Sequence, residues 1–372
     1  MNEAIFKTLI LVLLIALGFI LKAKFGSKDK VNGIKEIVLS VALPSTIFIA
    51  LMKINLDASL LFIPVVALLF NFIMFLITPL ALSSFGIKKD SSSARTLTLL
   101  IPSLAPGLSC FPFIVEFLGE ESLAMAAMGD IGNKFFCLIF LYVVAMNMSL
   151  KNSGSEKQNV KEKITSLLAS LAKEPINIVL VAGLVLLGFG VSYSTLPEII
   201  RGVFDKTSAI MTPLVLIFIG LAVNLKEGKK KLVFSLLSLR AGISLILSAL
   251  FIYFTGMSSS NNILLTIIFP LSCISFWPFA HISLFLNKEE SMGIEKEKRT
   301  FNSELAIMVL AISLPFSTTL VLTILTAGTY FVDIWKIVSL GIALLALGSI
   351  PMILSKVQFK RHETSSMSEN HA

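Results

Sequence analysis

A chain of 372 residues that is 55% hydrophobic and only 15% charged, with a mean hydropathy of +0.89, is too apolar for a soluble domain and long enough for many bilayer crossings. Its formal charge of +8 does not indicate nucleic acid: no basic face alternates with stacking aromatics, and the lysines sit between apolar runs. The expected fold class is an all-α integral membrane protein, because only helices satisfy the backbone of such runs within a single segment in hydrocarbon.

In chain order the apolar runs predict eleven spans, at about 5–24, 34–54, 58–85, 96–118, 121–149, 176–193, 203–224, 230–256, 262–287, 301–328 and 333–354, several of them longer than the roughly 20 residues a crossing needs. The first is read as a retained helix, since its charges follow the apolar stretch and no small-residue cleavage site ends it. Positive charge gathers in alternate connections: Lys22, Lys24, Lys28, Lys30 and Lys35 in the first, Lys88, Lys89 and Arg95 in the third, Lys151 to Lys173 in the fifth. Lys226 to Lys231, Lys288 to Arg299, and Lys356, Lys360 and Arg361 continue the pattern. The positive-inside rule then puts these connections and the C-terminus in the cytoplasm and the N-terminus outside. A bacterial inner membrane is the expected location.

Two spans share a pattern. Ser109-Cys110-Phe111-Pro112-Phe113 in span 4 recurs 166 positions later as Ser275-Phe276-Trp277-Pro278-Phe279 in span 9. Leu17-Gly18-Phe19 recurs as Leu187-Gly188-Phe189, and Pro44 has a counterpart in Pro213, at offsets of 170 and 169. Landmarks in the same order at nearly one spacing predict a repeat of five spans, and an odd number inverts the second copy. The expected organisation is a first repeat over 1–149, a linker over 150–175, a second repeat over 176–328, an added helix over 329–355 and a polar tail over 356–372. Within the linker Ile164, Leu167, Leu168 and Leu171 can line one face of a short interfacial helix; the alternative is a solvated linker with a few apolar anchors.

Proline in a helix removes a backbone hydrogen bond, so a break repeated in both halves leaves polar backbone where a ligand can use it. In span 4 the gap is bounded by Pro102, Pro106 and Pro112, with Gly107 allowing close approach, and in span 9 by Pro270 and Pro278. Exposed N–H groups at the restarted helices favour a carboxylate, and the hydroxyls of Ser103, Ser109, Ser272 and Ser275 can donate to it. The plainer alternative is that the prolines only kink helices and the serines bond back to backbone.

Ionisable groups inside spans are candidates for gating or for coupling to Na+ or H+, because charge in the bilayer core is costly. Glu116 follows Pro112 by about one turn and His281 follows Pro278 likewise, on opposite sides of the membrane in an inverted repeat; snorkelling to water is the alternative for each. Asp130 and Lys134 stand at i, i+4 and can form a structural pair, or Asp130 with Asn133 can bind a cation. Asn302 and Glu304 near the start of span 10 are loosely equivalent to Asp130. Arg240 can neutralise an acidic substrate or snorkel. Cys110, Cys137 and Cys273 all fall inside spans, which argues against a disulfide or a thiolate metal site. No cofactor is expected, and no H-E-x-x-H, G-x-S-x-G or phosphate loop points to an enzyme.

Gly18 to Lys24, Ala42-Leu43-Pro44 with Ile47-Phe48, Glu174-Pro175, Leu196-Pro197, Thr212-Pro213-Leu214 leading to Ile219-Gly220, Leu314-Pro315 and Asp130 give the chain, over roughly residues 5–328, a pattern that resembles the auxin efflux carrier family, within the larger group that includes the bile acid sodium symporters. The resemblance implies a panel domain and a crossover domain, spans 4 and 9 crossing near mid-membrane with substrate bound there, organic-acid substrates such as indole acetate, malate or malonate, and a homodimer. Many family members carry asparagine in the crossover breaks, whereas this chain reads Leu104-Ala105-Pro106-Gly107 and Leu271-Ser272-Cys273-Ile274, which leaves the substrate open. The expected function is a secondary transporter of a small organic anion, a carboxylate, by alternating access. The alternatives are a sodium-coupled symporter of the bile acid type and a non-transporting ligand-binding sensor.

Overall fold

The computed structural model describes residues 3–53, 60, 62–153, 160–222 and 230–350. The polar tail, including Lys356, Lys360 and Arg361, lies outside them, as do Lys157, Lys226 and Lys229 of the basic connections. The described chain is helical almost throughout. Helix α1 (Glu3–Phe25) is followed by α2 (Lys28–Ile37), a π turn over Val38–Ala42 and α3 (Leu43–Met52), with Pro44 just after the π turn in a continuous helical run. Helix α4 (Ile63–Ser84) precedes α5 (Ser92–Leu100), the single turn α6 (Pro106–Ser109) and the long α7 (Phe111–Phe135). A π turn over Phe136–Phe140 leads into α8 (Leu141–Ser153).

Helix α9 (Val160–Lys173) shows that the predicted linker helix forms. Then come α10 (Pro175–Gly188), α11 (Glu198–Ala209), α12 (Met211–Ala222) and α13 (Lys230–Thr255). The last part comprises α14 (Ser260–Ile268), a 3-10 turn over Phe269–Leu271, α15 (Trp277–Ser291), α16 (Ser303–Ala327) and α17 (Ile334–Ile350).

Among the described residues seven helical stretches are long and apolar enough to cross a membrane: Ile5–Phe25, Asp29–Met52, Ile63–Ser84, Phe111–Asn152, Glu198–Ala222, Lys230–Thr255 and Ser303–Val332. The protein is therefore a helical membrane protein. Seven rather than the predicted eleven qualify for a physical reason: the other apolar segments are short or interrupted. Pro175–Gly188, Ser260–Leu271 and Ile334–Ile350 are apolar helices of 10–17 residues. Span 4 is cut after Leu100, and its second half runs on into the fifth span as α7. Gly119, at φ 85° and ψ −178°, breaks α7 between the two. That conformation is open only to glycine.

The buried apolar residues form two large clusters. One contains Leu43 and Ile47 of α3, Phe111 and Ile114 of α7, Val215 of α12 and Ile267 of α14. The other contains Leu97 of α5, Tyr142 of α8, Leu237 of α13 and Ile282 of α15. The chain passes from the second cluster to the first between Ile101 and Cys110, and from the first to the second between Leu271 and Ile274. These two passages, of opposite sense, are the two proline-bounded breaks.

The crossing of the two breaks as candidate functional site

The breaks meet. Ala105 and Cys273 form an antiparallel bridge, with Ala105 N–H donating to the Cys273 carbonyl at 2.8 Å. This is extended backbone between helices, where Pro106, Pro270 and their neighbours stop the helical ladder. The hydroxyls complete the pairing. Ser109 Oγ accepts from Cys273 N–H at 2.9 Å and donates to the Ala105 carbonyl at 2.9 Å. Ser103 Oγ accepts from Ser275 N–H at 3.2 Å and donates to the Leu100 carbonyl at 2.7 Å. Ser272 Oγ donates to the Phe269 carbonyl at 2.5 Å, and Ser275 Oγ accepts from Trp277 N–H at 3.3 Å. All four predicted serines are thus at the crossing and buried, bonded to backbone as the plainer alternative anticipated. Gly107 is close to the α2–α3 turn rather than to open space: a Cβ there would lie 3.1 Å from Leu43 Cδ2.

Two polar side chains from other helices hold the breaks. Arg240 of α13 is 3% exposed and donates to three carbonyls, Ile101 at 2.9 Å, Ser103 at 3.2 Å and Ser272 at 3.0 Å. It reaches both breaks at once and does not snorkel. No carboxylate pairs with it among the described residues; the three groups it donates to there are carbonyl dipoles. Asn133 of α7 imitates a backbone partner: its Nδ2 donates to the Leu104 carbonyl at 2.9 Å while its Oδ1 accepts from Leu104 N–H at 3.2 Å. Asn133 Nδ2 also donates to Asp130 Oδ1 at 2.8 Å, and Asn71 Nδ2 donates to Asn133 Oδ1 at 3.1 Å.

Asp130 and Lys134 are buried and paired at 3.3 Å, and Lys134 Nζ also reaches Glu174 at 2.6 Å. The predicted pair is therefore part of a chain of polar groups running from Leu104 to the first residue before α10. His281 is 5% exposed, so it does not snorkel; its Nε2–H donates to the Cys137 carbonyl at 3.0 Å, and its ring meets Tyr142 edge-on. Glu304 is not brought to the crossing. It lies on the surface, paired with Lys296 at 2.6 Å, because its place in the first turn of α16 faces outward. Cys110, Cys137 and Cys273 are buried free thiols.

Glu116 stands apart from the crossing, exposed on α7 one turn beyond Pro112. It lines a cavity of about 360 Å³ together with Lys7 and Leu11 of α1, Thr46 of α3, and Ser208 and Thr212 flanking the interruption between α11 and α12.

The chain is 27% identical over 228 residues, 59% of its length and 69% of the other's, to an uncharacterized transporter of Methanocaldococcus jannaschii. It is similar to a transporter. No protein-family model matches it. A general transport role thus agrees with a helical membrane protein whose two broken segments cross in its interior.

Sequence reasoning missed Asn71, fully buried in α4 and tied to Asn133. The signal was there, since an amide inside an apolar run is costly unless it has partners. It also missed Glu289, 1% exposed, which accepts from Thr300 N–H at 2.9 Å and from the Thr300 hydroxyl. Arg240 was legible as a charge inside a span, but its partners were not: no spacing in the sequence joins it to carbonyls more than 130 residues away.

Proposed function

We propose that the protein is a secondary carrier of the auxin efflux type, with eleven spans arranged as two inverted sets of five plus one, which moves a small organic acid across the plasma membrane by alternating access at the crossing. The lysine-rich connections face the cytoplasm in this reading and the N-terminus lies outside. The observation that carries it is the joining of two proline-broken segments, Ala105 to Cys273, beneath the guanidinium of Arg240, which pairs with no carboxylate among the described residues. A buried cation without an acidic partner among the described residues favours an anion nearby, and interrupted helices that meet in the interior are where secondary carriers place their substrate.

The full engagement of Ser103, Ser109 and Ser272 by backbone favours a second reading, a ligand-binding membrane sensor that does not transport. Flux separates the two. Proteoliposomes containing the purified protein are expected to take up a radiolabelled carboxylate, and Ser109→Ala is expected to slow uptake by weakening the bridge. Running the assay with and without sodium, and at two pH values, identifies the coupling ion. Binding without flux in any condition selects the sensor.

A further inference from the structure

Two half-helices run C-terminally into the crossing. Helix α5 stops at Leu100, and α14 with its 3-10 turn stops at Leu271. The last carbonyls of a helix lack intrahelical donors and carry its partial negative charge, and in secondary carriers with broken helices such ends are where a coupling cation is bound. Here those carbonyls are taken. Arg240 donates from Nε to Ile101 and from Nη2 to Ser103, just past the end of α5, and from Nη1 to Ser272, just past that of α14. One buried positive group thus serves both ends. The helix that carries it is held on two sides. Toward α14, Ser248 Oγ donates at 2.9 Å to the carbonyl of Thr266, whose helical donor is missing because Pro270 has no N–H. Toward α17, a Cβ on Gly242 would fall 2.7 Å from the Gly341 carbonyl oxygen, so α13 and α17 meet through backbone.

A dissolved sodium ion does not fit this arrangement. It would have to displace a guanidinium that is tied by three hydrogen bonds and that keeps its charge at any physiological pH. We infer that Arg240 is the resident cation of the crossing, a covalently held counter-ion for two helix ends in the place where a carrier of this kind would take up Na+, so that the solute binds and crosses without sodium. A cation that cannot leave cannot draw on an ion gradient. What it supplies is a permanent positive charge facing the two helix ends. The inference rests on the carrier reading as far as flux is concerned; the holding of both helix ends by Arg240 does not.

The test is thermal unfolding of the full-length protein in detergent, in sodium, potassium and choline chloride at equal ionic strength, for the wild type and for Arg240→Ala. The wild-type midpoint is expected to be the same in all three salts, and a rise specific to sodium overturns the inference. Arg240→Ala is expected to unfold earlier and to regain at least half of the lost midpoint when methylguanidinium chloride is added at millimolar concentration, far below denaturing levels. No recovery with methylguanidinium, or equal recovery with added choline chloride, overturns the inference. If Arg240→Ala does not yield folded protein, the wild-type salt series decides alone. Flux keeps the two readings apart. Carboxylate uptake that requires sodium overturns this inference and leaves the carrier reading standing, whereas no uptake in any salt removes the carrier reading and leaves the unfolding midpoints to decide on Arg240.

Discussion

At the scale of single residues, Arg240 and Ser109 make polar contacts that join the two breaks. Arg240 joins carbonyls from both breaks, and three donors in one planar group are what a lysine cannot offer. Arg240→Ala is expected to leave those carbonyls without donors in a buried setting, at roughly 1–3 kcal/mol for each group left unsatisfied. Arg240→Lys should recover only part of the loss. Thermal unfolding of the purified protein in detergent checks both, and an unchanged midpoint for Arg240→Ala would show that the carbonyls find other donors. The serines divide in the same way. Ser109 accepts from the opposite break, whereas the Ser272 hydroxyl donates only within its own turn. Ser109→Ala is therefore expected to destabilise by about 1–2 kcal/mol and Ser272→Ala by less than about half of that; equal losses would mean that the bridge between breaks contributes little.

At the scale of elements, close helix approach depends on glycines that the apolar pattern alone does not distinguish. A Cβ on Gly132 of α7 would fall 1.9 Å from the Pro64 carbonyl oxygen of α4. On Gly18 it would fall 2.2 Å from the Ile217 carbonyl oxygen, and on Gly220 2.1 Å from that of Ile15, so α1 and α12 touch through backbone. Small residues are what permit such contact in a membrane, where dispersion and polar contacts replace the hydrophobic drive. Gly119 is different: its Cβ would meet nothing within 4 Å, but its φ of 85° disfavours any side chain. Gly119→Ala is expected to cost about 1–3 kcal/mol of backbone strain, whereas Gly132→Ala must push α4 from α7. Heat-inactivation midpoints are expected to fall further for Gly132→Ala, and the reverse order would show that the α4–α7 contact gives way easily. The repeated Leu-Gly-Phe landmark also resolves here into two uses. Gly18 is pressed against a neighbour, while Gly188 has open space beside it, so sequence equivalence did not carry over to packing.

At the scale of the molecule, the placement of its surfaces relative to the bilayer follows from the crossings between them. The proposed topology puts three spans, α11–α12, α13 and the broken segment α14–α15, between Ser194 and Ser291. Both residues are exposed. Cysteines introduced at Ser194 and at Ser291 are therefore expected to react with a membrane-impermeant maleimide from opposite faces of sealed vesicles, the first from outside and the second only after permeabilisation. The buried native thiols provide a quiet background. Labelling of both from one face would rule out an odd number of crossings between them, and with it the proposed inversion.

The sequence by itself determined the class of protein, most helix positions and the two breaks, because hydropathy over a span and the geometry of proline are local properties that no distant contact can reverse. It placed Asp130 beside Lys134, and the structure pairs them, since i, i+4 spacing on a helix is also local. Only the tertiary structure decided that the breaks pair through Ala105 and Cys273 and that Arg240 points inward to carbonyls. It also extended the Lys134 pair to Glu174 and left Glu304 at the surface. Those outcomes depend on which helix faces meet, and residues more than 130 positions apart find each other only when the packing of the whole chain brings their backbones within hydrogen-bond reach.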